Sequence, residues 1–340
     1  MALNFPHCDG RRQILLALLG AAALLIGGCA DPAPIPPQPK VEGLDAYAAG
    51  AAALKDGNTH SAQTLLERAV EVNPNLTMAH QLLGDVYRKD GDYAKASDQY
   101  AAYSRLDPYN FKSHYELGLA YQLMGRLADA VDAYIQALVL SPRDLNANMN
   151  LGLVYLALNR VDDAVRQLQF AVKIDPRSAP AECNLGVALE TSGQLEQAQL
   201  AYRRAMELDP NETVAMIDLG AVLVRQGQGR EAQTVLEAAV KKVDTAIVRK
   251  RLGDSLVLQG QDDKAMEQYN LALKIDPRFW PAMNEMGLVE IRKYQAGMTI
   301  DEDQRLAALD FWKKSLAIQP HQTQIQQLVE QWNQNGQIKP

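Results

Sequence analysis

The sequence predicts an all-α chain, a superhelical solenoid of about eight helix-turn-helix units with a C-terminal capping helix, and three observations carry that prediction. Glycine recurs at Gly50, Gly84, Gly118, Gly152, Gly186, Gly220, Gly253 and Gly287, at intervals of 34 residues broken once by 33. Alanine follows each of the first seven glycines by twelve, at Ala62, Ala96, Ala130, Ala164, Ala198, Ala232 and Ala265. Hydrophobic residues make up 47% of the chain but aromatics only 6%, the excess being alanine and leucine, which enter helices at small entropic cost. A fixed period of this length marks a stacked array in which each unit buries its apolar face against its neighbours.

The first elements precede the array. Arg11 and Arg12 stand before a 13-residue apolar run over 14–26 (ILLALLGAAALLI). That is the length of a secretory signal core and falls short of the roughly 20 residues that cross a bilayer. The run closes as Ile26-Gly27-Gly28-Cys29, which resembles the lipobox of bacterial lipoproteins. The resemblance implies that residues 1–28 are a signal peptide and that Cys29 becomes the lipidated N-terminus, held in the cell envelope of a bacterium. Each buried CH2 contributes about 0.8 kcal/mol, so several acyl chains on one cysteine anchor stably. Ala30 behind the cysteine implies release to the outer membrane, facing the periplasm, while Asp31 leaves inner-membrane retention open. Residues 29–42 form a tether, because five prolines over 30–43 block helix and favour an extended polyproline backbone.

The repeated units fill 43–320 and start near 43, 77, 111, 145, 179, 213, 246 and 280. The third unit displays the pattern as Tyr115-Glu116-Leu117-Gly118-Leu119-Ala120-Tyr121, then Gly125, Ala130, Tyr134, Ala137 and Pro142. Period and residue types together resemble the tetratricopeptide repeat, most closely in the second to fifth units. Glycine at the eighth place and alanine at the twentieth remove bulk where two antiparallel helices cross, so their backbones approach. Tyr87, Tyr121 and Tyr155 on first helices, and Tyr100, Tyr134, Tyr202 and Tyr269 on second helices, fill the remaining core. Gly91, Gly125, Gly193, Gly227 and Gly260 suit the left-handed residue that ends a first helix. Pro74, Pro108, Pro142, Pro176, Pro210 and Pro277 close the units, since proline cannot continue a helix. Residues 321–340 supply the cap and tail: Ile325, Leu328, Val329 and Trp332 fall on one helical face with glutamines opposite.

The array departs from its own pattern three times. Asp244 stands where the sixth unit's proline is expected, and the seventh unit begins one residue early, so the stack can bend there. Lys241, Lys242, Arg249, Lys250 and Arg251 gather at this joint, a candidate basic patch in an acidic chain for an acidic partner or lipid headgroups. The eighth unit carries about nine extra residues near 296–306. Asp301, Glu302 and Asp303 invite a calcium reading, but an EF-hand loop starting at Asp301 would place Leu306 and Trp312 where it needs Gly and Glu.

Chemistry is sparse. The chain has no GxxxxGKS/T, GxSxG, HExxH or CxxC, so phosphate cradle, nucleophile elbow, zinc helix and redox pair each lack their residues. With a net charge of −7 it is a poor nucleic-acid binder. Its three cysteines, Cys8, Cys29 and Cys183, form no disulfide framework, and Cys183 reads as an apolar filler. His80 and His114 share the fourth place of adjacent units and read as packing histidines. No catalytic residue, cofactor, metal or small-molecule substrate is expected.

The resemblance to tetratricopeptide repeats implies protein partners, bound as a peptide or helix in a concave groove lined by first helices through their second, fifth, ninth, twelfth and thirteenth residues. Over units three to six this selects Tyr115, Leu119, Leu123, Met149, Leu153, Leu156, Val187, Ile217, Ala221 and Val224, an apolar floor suited to an amphipathic helix or extended apolar segment. Gln122, Asn146, Asn150, Asn184, Glu190 and Arg225 supply a polar rim. Together the features suggest a membrane-anchored adaptor that assembles an envelope complex for secretion, pili, the outer membrane or polysaccharide export. The alternative is a regulatory adaptor that recruits a periplasmic protease or cell-wall hydrolase.

Overall fold

Residues 42–296 and 302–334 are described by the structure, a computed structural model. The expected signal peptide, Cys29, most of the expected tether, residues 297–301 of the insertion and the tail beyond Gln334 lie outside the described residues. Within them the chain forms seventeen helices and no strand. Eight antiparallel pairs follow one another. The first helices are α1 (Leu44–Lys55), α3 (Thr77–Lys89), α5 (Phe111–Leu123), α7 (Leu145–Ala157), α9 (Ala179–Thr191), α11 (Thr213–Arg225), α13 (Ala246–Val257) and α15 (Trp280–Ala296). Their partners are α2 (Thr59–Val72), α4 (Tyr93–Leu106), α6 (Leu127–Leu140), α8 (Val161–Ile174), α10 (Leu195–Leu208), α12 (Gly229–Lys242), α14 (Asp262–Ile275) and α16 (Glu302–Ile318), and α17 (Thr323–Gln334) closes the stack.

The turns follow from local chemistry. First helices end on a left-handed residue, glycine in most units (Gly125 has φ 73°) but Asn159 (φ 58°) in the fourth, where the glycine series skips. Asparagine tolerates that region better than other side chains, which is why the gap in the series does not break the turn. Second helices end at an Asx turn beside the proline: Asp175, Asp209 and Asp276 each accept from the backbone N–H two residues on, at 2.8–2.9 Å. A further latch recurs at the fourth place of the next first helix. His80 Nε2 and His114 Nε2 lie 2.9 Å from the carbonyls of Pro74 and Pro108, and Asn148 Nδ2 donates to that of Pro142 at 3.1 Å. The histidines therefore tie the end of one unit to the start of the next.

The recurrent glycines work differently from the sequence expectation of two backbones in contact. A Cβ built on Gly152 would sit 2.6 Å from Leu168 Cγ, and one on Gly186 2.6 Å from Tyr202 Cε1, so each glycine makes room for a large side chain of the second helix. Those side chains, Leu66, Tyr100, Tyr134, Leu168, Tyr202, Leu236, Tyr269 and Trp312, are fully buried. At the C-terminal end Ile325 and Trp332 of α17 bury against Ile291, Leu309 and Trp312. Tyr294 meets Trp332 edge-on at 5.8 Å, and Arg305 Nη1 donates to the Trp332 carbonyl at 2.6 Å, fixing the cap on the last pair.

Candidate partner-binding groove

Each second helix packs on the following first helix, and first helices of successive units also touch, α5 with α7, α7 with α9, α9 with α11, α11 with α13 and α13 with α15. Second helices make no comparable contact with one another among the described residues, so first helices form the inner side of the curved stack. The inner side is where a partner would be held by several units at once.

In the middle of this face the sequence-selected residues are placed as a partly covered floor. Tyr115, Leu119, Met149, Leu153, Leu156, Val187, Ile217, Ala221 and Val224 are half-buried, and Leu123 is exposed. Side chains of the same and the next helix cover them: Phe111, one turn earlier on α5, stacks on Tyr115 at 5.6 Å, and Asn150 Nδ2 donates across from α7 to the Tyr115 hydroxyl at 3.1 Å. Gln122 accepts from the Tyr134 hydroxyl at 2.8 Å, and Glu190 accepts from Arg225 and from the Tyr202 hydroxyl, each at 3.0 Å. These rim residues thus also brace the pairs behind them. Cys183, buried in α9, has its thiol pushed up to about 12 by burial, then by Glu212 and Asp218, and so stays protonated and unreactive at neutral pH.

The five basic residues of the joint do not face one direction as an open patch. Arg249 grips Asp244 with two nitrogens, each at 2.7 Å, and Gln268 at 2.9 Å. Arg249 holds the fourth place of its unit and Asp244 the missing proline's place, so this ion pair replaces the latch to a proline carbonyl used elsewhere. Lys250 spans Asp254 at 2.9 Å and Glu285 at 3.2 Å, and Arg251 donates to Asp218 at 2.8 Å and to the Ile217 carbonyl at 2.6 Å. Burial pulls the Lys250 ammonium down, yet Asp254 and Glu285 outweigh it and hold the group above its usual value. Burial raises Asp254 in turn. Lys242 contacts Asn211, and Lys241 is exposed.

The sequence reading missed a trough of about 520 Å³ along α13, between α11 and α15, which shares only Ala221 and Val224 with the predicted groove floor, Arg225 with its rim, and Lys250 and Arg251 with the predicted basic patch. Ile247, Leu258, Phe279 and Pro281 give it apolar walls. The signal was present, since Ile247 and Pro281 hold the second place of their units and Leu258 the thirteenth, but the groove positions had been followed only to the sixth unit. A second carboxylate was also missed: Glu116 on α5 has Oε2 buried without a hydrogen-bond donor, with Arg88 at 3.7 Å, and burial and then Asp85 raise its pKa.

Comparison with known proteins agrees with this architecture. Residues 39–249 match the family described as the cilia and flagella-associated protein 70 C-terminal domain, a tetratricopeptide-repeat domain, and 251–279 match the tetratricopeptide repeat itself. None of the curated proteins matches the chain. Among solved structures, a chain of the APC/C hetero-tetramer Cut9-Hcn1 gives a TM-score of 0.59 at 14% identity, over 81% of this chain and 52% of that one. Pseudomonas aeruginosa pilF gives 0.54 at 17%, over 65% and 96%. A tetratricopeptide repeat protein from Parabacteroides merdae gives 0.50 at 14%, over 86% and 98%. At these identities the likeness is one of fold.

Proposed function

The chain belongs to the tetratricopeptide-repeat family, a protein-interaction scaffold, and on that premise we propose that it is a lipid-anchored adaptor which holds partner polypeptides along its inner face while assembling a complex of the bacterial cell envelope. The observation that carries the reading is the run of apolar side chains along the inner side of consecutive first helices, from Tyr115 to Val224 and on through Ile247 and Leu258. A stack of helices that presents such a strip along several units offers one partner many weak contacts in register. The lipobox-like Ile26-Gly27-Gly28-Cys29 and the proline-rich segment behind it support an anchor with a spacer.

Two experiments test this. Photo-crosslinkers placed on the first helices in intact bacteria should capture discrete partners, and Leu153→Asp should remove them while circular dichroism stays unchanged; capture that survives Leu153→Asp would count against the groove. Metabolic labelling with a fatty-acid analogue should mark the wild type and leave Cys29→Ser unlabelled, and equal labelling would remove the anchor.

A further inference from the structure

Exposed apolar side chains of the first helices lie towards the two ends of the stack and spare its centre. Among the large hydrophobic residues exposed there, Leu44, Met78 and Leu123 belong to α1, α3 and α5, Val214, Ile247 and Leu288 to α11, α13 and α15, Leu258 caps α13, and none belongs to α7 or α9. Ile247 and Leu258 mark the two ends of the trough along α13, about 16 Å apart at the helical rise per residue. Apolar surface left open to water beside a concave wall is what a partner's side chains would cover.

The charges that share the trough narrow the partner. Its lining holds Arg225, Lys250 and Arg251 against Asp254 and Glu285, an excess of positive charge in a chain whose net charge is −7. Both carboxylates are already engaged by Lys250. The carboxylates that pair Arg225 and Arg251 are Glu190 and Asp218, and neither lines the trough. Half of the Arg225 side chain is exposed, and its bond to Glu190 uses Nη1 alone. An incoming carboxylate therefore meets an available guanidinium edge, whereas an incoming ammonium meets only carboxylates that Lys250 occupies.

We propose that this trough seats an acidic amphipathic segment of the partner polypeptide, with one apolar side chain entering beside Ile247, a second beside Leu258, and a carboxylate pairing with Arg225. The assignment rests on the adaptor reading above and adds where the partner docks and of what chemistry it is made. The apolar anchors supply most of the affinity, and the charge sets orientation and excludes basic segments.

The test uses the full chain in detergent and three fluorescein-labelled helical peptides of about twelve residues, the length of three turns. One carries glutamates opposite a leucine face, the second replaces the glutamates by lysines, and the third replaces the leucines by serines. Fluorescence anisotropy should show the glutamate-leucine peptide binding at least about tenfold more tightly than either control, with Ile247→Ser and Leu258→Ser each weakening it about tenfold. Arg225→Glu should shift the preference towards the lysine peptide. Ile247 and Leu258 are about half exposed, so both variants should keep the wild-type melting curve. Equal binding of the lysine peptide, no binding of the glutamate-leucine peptide, or unchanged affinity in both serine variants would overturn the assignment. If Leu153→Asp alone abolishes binding, or crosslinked partners persist where the peptides fail, the trough falls while the adaptor reading stands.

Discussion

The inner face has two regions built from the same helix positions, and they solve the same packing problem in different ways. In the middle, α5, α7 and α9 set aromatic, methionine and amide side chains between neighbouring first helices, as Asn150 does on Tyr115, and the apolar floor is half covered. Towards the C-terminus, α11, α13 and α15 join instead through ion pairs, Arg251 with Asp218 and Lys250, braced by Asp254 of its own helix, with Glu285. Charged pairs fix spacing but cover little hydrocarbon, so Ile247 and Leu258 stay open and a trough remains. A strip that looks continuous in sequence is thus covered along α7 and α9 and open along α13.

The largest effect that would sharpen this comparison is steric. Gly152→Leu in the middle should cost about 3 kcal/mol in urea denaturation, because its side chain must displace the fully buried Leu168. An unchanged midpoint would refute the packing role given to the recurrent glycines.

Next is the ion-pair half. Lys250→Met should destabilise by about 2 kcal/mol at neutral pH, less than a fully buried pair would because the site is partly solvated, since Asp254 and Glu285 are left facing each other. Without the lysine the buried Asp254 would hold its proton still more tightly folded than unfolded, so the variant should regain stability as pH falls through the carboxylate range. In the wild type the Lys250 contribution is full below its ordinary value of 10.5 and is lost as pH rises past it. A deficit in Lys250→Met that is the same at pH 7.5 and pH 4.5, in urea titrations, would break the contrast between the two halves.

The smallest effect concerns the covered half alone. In a chain carrying Cys8→Ser and Cys29→Ser, Cys183 should react with a maleimide at pH 7.5 only as fast as the stack opens locally, because burial keeps its thiol protonated and shielded. Labelling at the rate of a free thiol would mean that the middle of the face is as open as the trough.

Much of this was legible in the chain. The glycine and alanine series fixed the pairs, the prolines their ends, and Ile325 to Trp332 the cap, because each is a local requirement on backbone or helix face. The left-handed Asn159 was hidden, since it breaks the residue type while keeping the conformation. The joint misled more: five basic residues in sequence suggested one patch, yet helical periodicity sends Arg249 to Asp244, Arg251 to Asp218 and Lys250 inward. The side chains that bound the trough were visible as residue types but not as exposed ones.

By itself the sequence determined the number, phase and ends of the helices, because a period of 34 residues is a one-dimensional property that each unit repeats. The tertiary structure alone decided which inner-face side chains are covered, because that depends on what the next unit, some 34 residues away, places opposite them. Where it places an amide or a ring, the floor closes; where it places the partner of an ion pair, hydrocarbon is left for another molecule to cover.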